Sequence, residues 1–214
     1  MSESSHVRIP VQDRSRQTLE RIVIAVEGLL ARKPFDEIGV AEVVRRAGCS
    51  TGSFYARFRA KDDVLPYLYE RYDADLKQRV QARIDSVSWE RLGLSATVDN
   101  VVRITVEMYS ERRHLLRAVA LFARSQPGAI SPEVRRKRAA TTTDLPARVL
   151  ARFADEIRHD DPLDAARIGF FIVAAAAREK ILFGDAPHAS DTRLSETRLI
   201  TELSRTLYAY LTCR

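Results

Sequence analysis

Across residues 15–33 the apolar side chains Leu19, Ile22, Val23, Val26, Leu29 and Leu30 recur three and four positions apart. That is the period of one buried helix face, and Pro34 stops it. The same reading predicts a short helix over about 40–47 from Val40, Val43, Val44 and Ala47, and a second over about 51–58 from Phe54 and Phe58. A long helix opens at Lys61-Asp62-Asp63 and runs to about 84, with Pro66 tolerated in its first turn. Val98, Val101, Val102, Thr105 and Tyr109 mark a helix over about 95–110, and another covers about 113–125. Ser131-Pro132 starts a helix interrupted near Pro146 and ending near 158, and Asp161-Pro162 starts one that ends near 183. The last spans about 195–212, with Leu199, Leu203, Leu207, Tyr210 and Leu211 on its apolar side. Residues 1–13 carry no apolar period and are expected to be a mobile arm. Connections are expected around Trp89, at 126–130 and at 184–194. With no alternating pattern and no internal repeat, the predicted fold class is all-α, with about nine helices.

The two short helices form the most informative stretch. Gly48 falls where the first would end, and glycine accepts a positive φ there without steric cost. Ser50 can then cap the second by accepting a bond from an orphan backbone N–H. Phe54 and Phe58 share the buried face, which leaves Thr51, Gly52, Ser53, Tyr55 and Arg57 pointing outward. Hydroxyls and free amides suit phosphate oxygens, and arginine suits guanine edges, so the stretch has the form of a DNA-reading helix-turn-helix. The spacing alone also fits a surface helical hairpin without a ligand.

Charge and composition narrow the choice. The 214 residues are 45% hydrophobic, with a net charge of +6 and a pI near 9.6. Residues 1–61 hold eleven Lys/Arg against seven Asp/Glu, a net of +4, so most of the excess surrounds the turn. Such a balance favours nucleic acid first and a membrane surface second. Cys49 and Cys213 form neither a metal spacing nor a disulfide framework, which fits a reducing cytoplasm. The longest apolar run, residues 168–177, is far short of the roughly 20 residues a membrane span needs. His6, His114, His159 and His188 are scattered. No nucleophile–base–acid set, metal cluster or phosphate loop is visible, so neither catalysis nor a cofactor is expected. The rival readings are a helical small-molecule-binding protein or enzyme without DNA binding, and a sequence-indifferent architectural DNA binder.

The residues Phe35-Asp36-Glu37-Ile38, Val43-Val44-Arg45-Arg46-Ala47-Gly48, Ser50-Thr51-Gly52-Ser53-Phe54-Tyr55, Phe58 and Lys61-Asp62-Asp63-Val64-Leu65 resemble the signature of the TetR family of transcriptional regulators. The resemblance covers about 45 N-terminal residues; beyond them only helix number and order agree. It implies a helix-turn-helix DNA-binding domain at 14–60 and a helical effector-binding and dimerisation domain at 61–214. It also implies a homodimer on a palindromic operator, released by a small-molecule effector. By position, Tyr55 would contact a phosphate and Lys61 the backbone. Thr51, Ser53 and Arg57 would line the major groove beside Gly52, and Ala56 could touch a thymine methyl. Arg45 and Arg46 suit phosphate or solvent alike. Gly39 departs from the pattern, since it withholds the hydroxyl that often caps the second helix and touches phosphate. Val44 and Cys49 replace a frequent Ala and Val without disturbing the packing.

In the larger half, Gly169, Phe170, Val173, Ala174, Ala177, Ile181, Leu199, Leu203 and Leu207 are expected to form the dimer interface, with intramolecular core as the alternative. Tyr67, Tyr72, Arg103, Glu107, Met108, Tyr109, Leu121, Phe122, Phe170 and Arg178 are candidates for an effector pocket, each also readable as core or surface.

Overall fold

The computed structural model describes residues 13–87, 91–126, 128, 130–185 and 194–213. Residues 1–12 of the expected arm at 1–13, Trp89 and most of the loop at 184–194 lie outside the described residues, and Asp13 begins the first helix. Among the described residues ten α-helical segments follow in order: α1 (Asp13–Leu30), α2 (Val40–Ala47), α3 (Thr51–Tyr55), α4 (Val64–Asp85), α5 (Leu94–Glu111), α6 (Arg113–Ser125), α7 (Pro132–Ala139), α8 (Leu145–Leu150), α9 (Pro162–Phe183) and α10 (Glu196–Thr212). Short 3-10 turns at Phe35–Glu37 and Lys61–Asp63 precede α2 and α4.

The helix expected over 132–158 is broken. A π-helical turn, Ala140–Asp144, separates α7 from α8, and a 3-10 turn at Ala151–Phe153 follows. Pro146 is the physical cause: it has no N–H to donate and its ring crowds the carbonyl four residues back, so the backbone widens just before it. α3 is shorter than expected because the chain leaves the helix at Ala56, which carries Phe58 into the core.

The chain divides into two units. The first joins the described residues up to Ala74 with His114–Ser131; the second joins Asp75–Arg113 with the chain from Pro132 onward. The division between these packing units falls inside α4, and α6 goes with the first unit.

In the first unit, Ile22, Val23 and Val26 of α1, Val43 and Ala47 of α2, Phe54, Phe58 and Leu65 are all buried. Phe54 and Phe58 are fully enclosed, with ring centroids 5.3 Å apart. Burial of each contributes about 1.5–3 kcal/mol. Arg71 of α4 clasps the Glu20 carboxylate of α1 by donating from both terminal guanidinium nitrogens, Nη1 to Oε2 and Nη2 to Oε1.

In the second unit, α5, α9 and α10 enclose a core that includes Val98, Val102, Val106, Phe170, Val173, Leu203 and Leu207. Asp161 caps α9 by accepting from Leu163 N and Asp164 N, each at 3.0 Å. A side chain at Gly169 would come within 2.7 Å of Tyr210 Cδ1, so glycine there permits the close approach of α9 to α10. At the end of α10, Arg158 N donates to Leu211 O (2.8 Å) and His159 Nε2 to Tyr210 O (2.7 Å), which satisfies two orphan helix carbonyls. No described helix is long and apolar enough to cross a membrane.

Candidate nucleic-acid interface

The turn between α2 and α3 is built by backbone chemistry. Gly48 adopts φ 60° and ψ 44°, the left-handed conformation that favours glycine. Its N–H donates to Arg45 O at 3.3 Å, and Cys49 N donates to Val44 O at 3.1 Å, which closes α2. Ser50 starts α3 as expected: its Oγ accepts from Ser53 N at 3.1 Å and lies 3.0 Å from Ser53 Oγ. Gly39 stands at the start of α2 with no side-chain cap, and an added Cβ would meet nothing within 4 Å.

Beneath α3, Phe54 and Phe58 anchor the segment. Above it, Thr51, Gly52, Tyr55 and Ala56 are exposed and Ser53 is half-buried. Tyr55 keeps 51% of its surface in solvent while its ring packs edge-on against Phe54, with centroids 5.4 Å apart. A Cβ at Gly52 would find only Ser50 Oγ, at 3.8 Å. Packing inside the chain therefore does not demand a glycine there, whereas close approach of an external ligand would.

The basic residues around this face differ in their commitments. Arg45 is exposed on the last turn of α2. Arg46 is exposed yet lies along α1, since a Cβ at Gly28 would meet its Nη2 at 2.8 Å. Lys61 Nζ donates to Phe35 O and Asp36 O, both at 3.2 Å, and stands 4.7 Å from the Phe35 ring centroid. One of its three ammonium protons remains for an outside acceptor. Lys33 pairs with Glu42, which draws the Glu42 carboxyl below its ordinary pKa of 4.5 and ties α2 to the end of α1.

Arg57 is corrected. Its sequence position suggests a side chain lining the groove, but the structure leaves it only 9% exposed. Its guanidinium donates to Ser53 O (2.6 Å), Ser15 Oγ (2.8 Å) and Ser15 O (3.1 Å from Nη2, 3.3 Å from Nε). Ser15, the partner that holds it, carries no signal in the sequence pattern.

The expected dimer set is also corrected. Gly169, Phe170, Val173, Ala177, Leu199, Leu203 and Leu207 are buried within the second unit, and Ala174 and Ile181 are half-buried against the same core. α9 is apolar on nearly every side, and the face it leaves open carries Ile168, Phe171 and Ile172, of which Phe171 is 63% exposed. Tyr208 of α10 is exposed as well.

The ten effector candidates are divided between the two units. In the first unit, Tyr67 is half-buried with its ring 5.8 Å from Phe58, and burial raises its hydroxyl pKa. Tyr72 and Phe122 are buried there, and Leu121 is exposed. In the second unit, Phe170 and the half-buried Tyr109 belong to the core, while Arg103 and Arg178 are exposed. Glu107 and Met108 line a cavity of about 330 Å³ in the second unit, together with Arg79, Val80, Ala82, Ser86, Ile104 and Glu111. Periodicity missed the α4 contribution to that wall. Arg79 pairs there with Glu111 at 2.8 Å and with Asp75 at 3.1 Å. Among the described residues, no group of three or more His, Cys, Asp or Glu could hold a metal ion.

Comparisons with known proteins bear on the same segment. Residues 22–68 match the family model for bacterial regulatory proteins of the tetR family. The chain is 31% identical over 97 residues to YwcC of Bacillus subtilis (strain 168), described as an uncharacterized HTH-type transcriptional regulator. That match spans 45% of this chain and 43% of the relative, less than half of either. A structure described as a TetR-family transcriptional regulator from Mesorhizobium loti superposes with a TM-score of 0.69 at 18% identity, covering 94% of this chain and 98% of that one. The regulator FadR from Bacillus subtilis, solved in complex with stearoyl-CoA, gives a TM-score of 0.60 at 15% identity, covering 91% and 98%. At such identities the likeness to the solved structures is one of fold.

Proposed function

We propose that this chain, a TetR-family protein by its 22–68 segment and its fold, is a ligand-responsive DNA-binding transcriptional regulator. It acts in the cytoplasm as a repressor on a palindromic operator. The observation that carries this reading is the face of α3. Thr51, Gly52, Tyr55 and Ala56 stand in solvent on a helix whose underside is fixed by fully buried Phe54 and Phe58. A rigid helix offering hydroxyls, a close-approach glycine and a methyl group suits the major groove. Residues 14–60 serve as the DNA-binding domain and residues 61–214 as the effector-binding and dimerisation domain.

Dimerisation uses Ile168, Phe171, Ile172 and Tyr208, whose exposed apolar surface on α9 and α10 supports an interface. A two-fold dimer places two reading helices at half-sites about one DNA turn apart, which a palindrome mirrors. The cavity at Glu107 and Met108 is the candidate effector site, and a fold that FadR shares, solved in complex with stearoyl-CoA, supports a small-molecule effector. An effector releases DNA only through differential affinity for two conformations.

Genomic fragment selection with the purified protein tests the reading, followed by titration against random DNA. The expected outcome is an enriched palindrome bound at least about a thousandfold more tightly than random sequence. A ratio near one, or no binding at all, would reject it.

A further inference from the structure

We infer that Arg57 is a positioning residue: its guanidinium pins the end of the reading helix α3 to the first turns of α1, so it sets operator affinity without touching DNA. This rests on the DNA-binding reading of α3.

Four contacts carry the inference. Nη1 donates to Ser53 O at 2.6 Å, and Nη2 donates to Ser15 Oγ at 2.8 Å and Ser15 O at 3.1 Å. Nε reaches the same Ser15 O at 3.3 Å. These use four of the five guanidinium N–H groups. Bidentate reading of guanine O6 and N7 needs two parallel donors on one edge, and only one Nη1 proton remains. Burial agrees, because Arg57 is 9% exposed between the exposed residues Ala56 and Arg59.

The contacts also explain why a clamp is needed here. α3 has five residues, Thr51–Tyr55. So short a helix does not hold itself in water, and its last carbonyls have no partner inside it. Arg57 supplies a charged donor to one of them, Ser53 O. It ties that carbonyl to the backbone oxygen of Ser15, 42 residues before Arg57 in the chain. Phe54 and Phe58 hold the underside of α3 through apolar contact, which resists lifting more than rotation. The directional bonds of Arg57 oppose rotation about that apolar seat, and rotation is the motion that would misplace Thr51 and Tyr55.

The test compares Arg57→Met, Arg57→Lys, Ser15→Ala and the Arg57→Met/Ser15→Ala double variant with the unaltered protein. Each variant is first confirmed folded by its thermal midpoint. Two quantities are measured: binding to the selected operator as a function of salt, and hydrogen exchange at the α3 amides in the free protein. The clamp predicts about tenfold weaker binding for Arg57→Met with an unchanged salt slope. It predicts a loss in Arg57→Lys, whose single ammonium cannot span Ser53 and Ser15. Ser15→Ala should lose less and add little to Arg57→Met. Exchange at α3 should quicken in Arg57→Met.

A salt slope reduced by about one, with Arg57→Lys binding normally and Ser15→Ala silent, would overturn the clamp and make Arg57 a phosphate contact. A changed base preference at one operator position would overturn it too. If the unaltered protein bound no DNA, the DNA-binding reading would fail. The exchange measurement would still decide the clamp, with unchanged α3 exchange rejecting it.

Discussion

Phe122 of α6 meets Phe35 edge-on, with ring centroids 6.4 Å apart and planes at 80°. The Phe35 ring also carries the Lys61 ammonium 4.7 Å from its centroid, and Gln126 donates to Asp62 at 3.2 Å. The end of α6 is thus joined, through one aromatic ring and one amide, to the turn that begins α4. Truncating Phe122 to Ala should cost about 3–5 kcal/mol of stability. It should also weaken operator binding in the folded fraction, because Lys61 loses a fixed seat. Urea unfolding followed by binding at matched folded concentration separates the two effects.

Gly48 offers a cleaner backbone test. The nearest atom to an added Cβ would be Arg21 Nη1 at 3.8 Å, so no clash confounds the substitution. Gly48→Ala should lose about 1–2 kcal/mol from the left-handed conformation alone. Gly48→Asn should lose less, since Asn tolerates that region. Denaturant midpoints at constant m-value check both.

Gly39 runs in the opposite direction. An added side chain meets nothing, and α2 has no side-chain cap. Gly39→Thr should raise stability by about a few tenths of a kcal/mol. Its hydroxyl should also strengthen operator binding. Stability that rises while binding stays level would show that α2 starts away from phosphate.

Glu20 and Arg71 make a pH-dependent tie between α1 and α4. The hydrogen bonds from Arg71 hold the Glu20 carboxyl below its usual value of 4.5. A depressed folded pKa gives stability that is present above about pH 4.5 and is lost as pH falls through the lower folded value. Both side chains are nearly half exposed, so solvent screening keeps the contribution below about 1 kcal/mol. Glu20→Gln should lower stability at pH 7 and flatten its decline toward pH 3. Unfolding curves across that range measure it.

The open face of α9 predicts an assembly state. Phe171→Glu removes little intramolecular packing, because Phe171 is 63% exposed. The variant should remain helical, shift to monomer in sedimentation, and lose cooperative binding to a palindrome.

What the sequence revealed follows physical range. α2 and α6 were legible to the residue, and so were the Gly48, Ser50 and Asp161 caps, because each depends on residues within one turn. Arg57 was misplaced because Ser15, its partner, lies 42 positions away and has no pattern of its own. The dimer set failed for another reason. α9 is apolar on nearly all sides, so periodicity cannot separate Val173, which faces the core, from Phe171, which faces solvent. The effector set was chosen by residue type, and type does not report which helices meet; Glu107 and Met108 line the cavity, whose α4 wall the pattern did not indicate.

The most direct test of the central claim, that the open face of α3 reads DNA, is operator affinity of the Thr51→Ala/Tyr55→Phe double variant. Neither change disturbs the core, since both residues are exposed and the Tyr55 ring stays on Phe54. The expected result is a folded dimer that binds its operator at least about tenfold more weakly, a loss of roughly 1.4 kcal/mol or more. Undiminished binding by that folded dimer would contradict it.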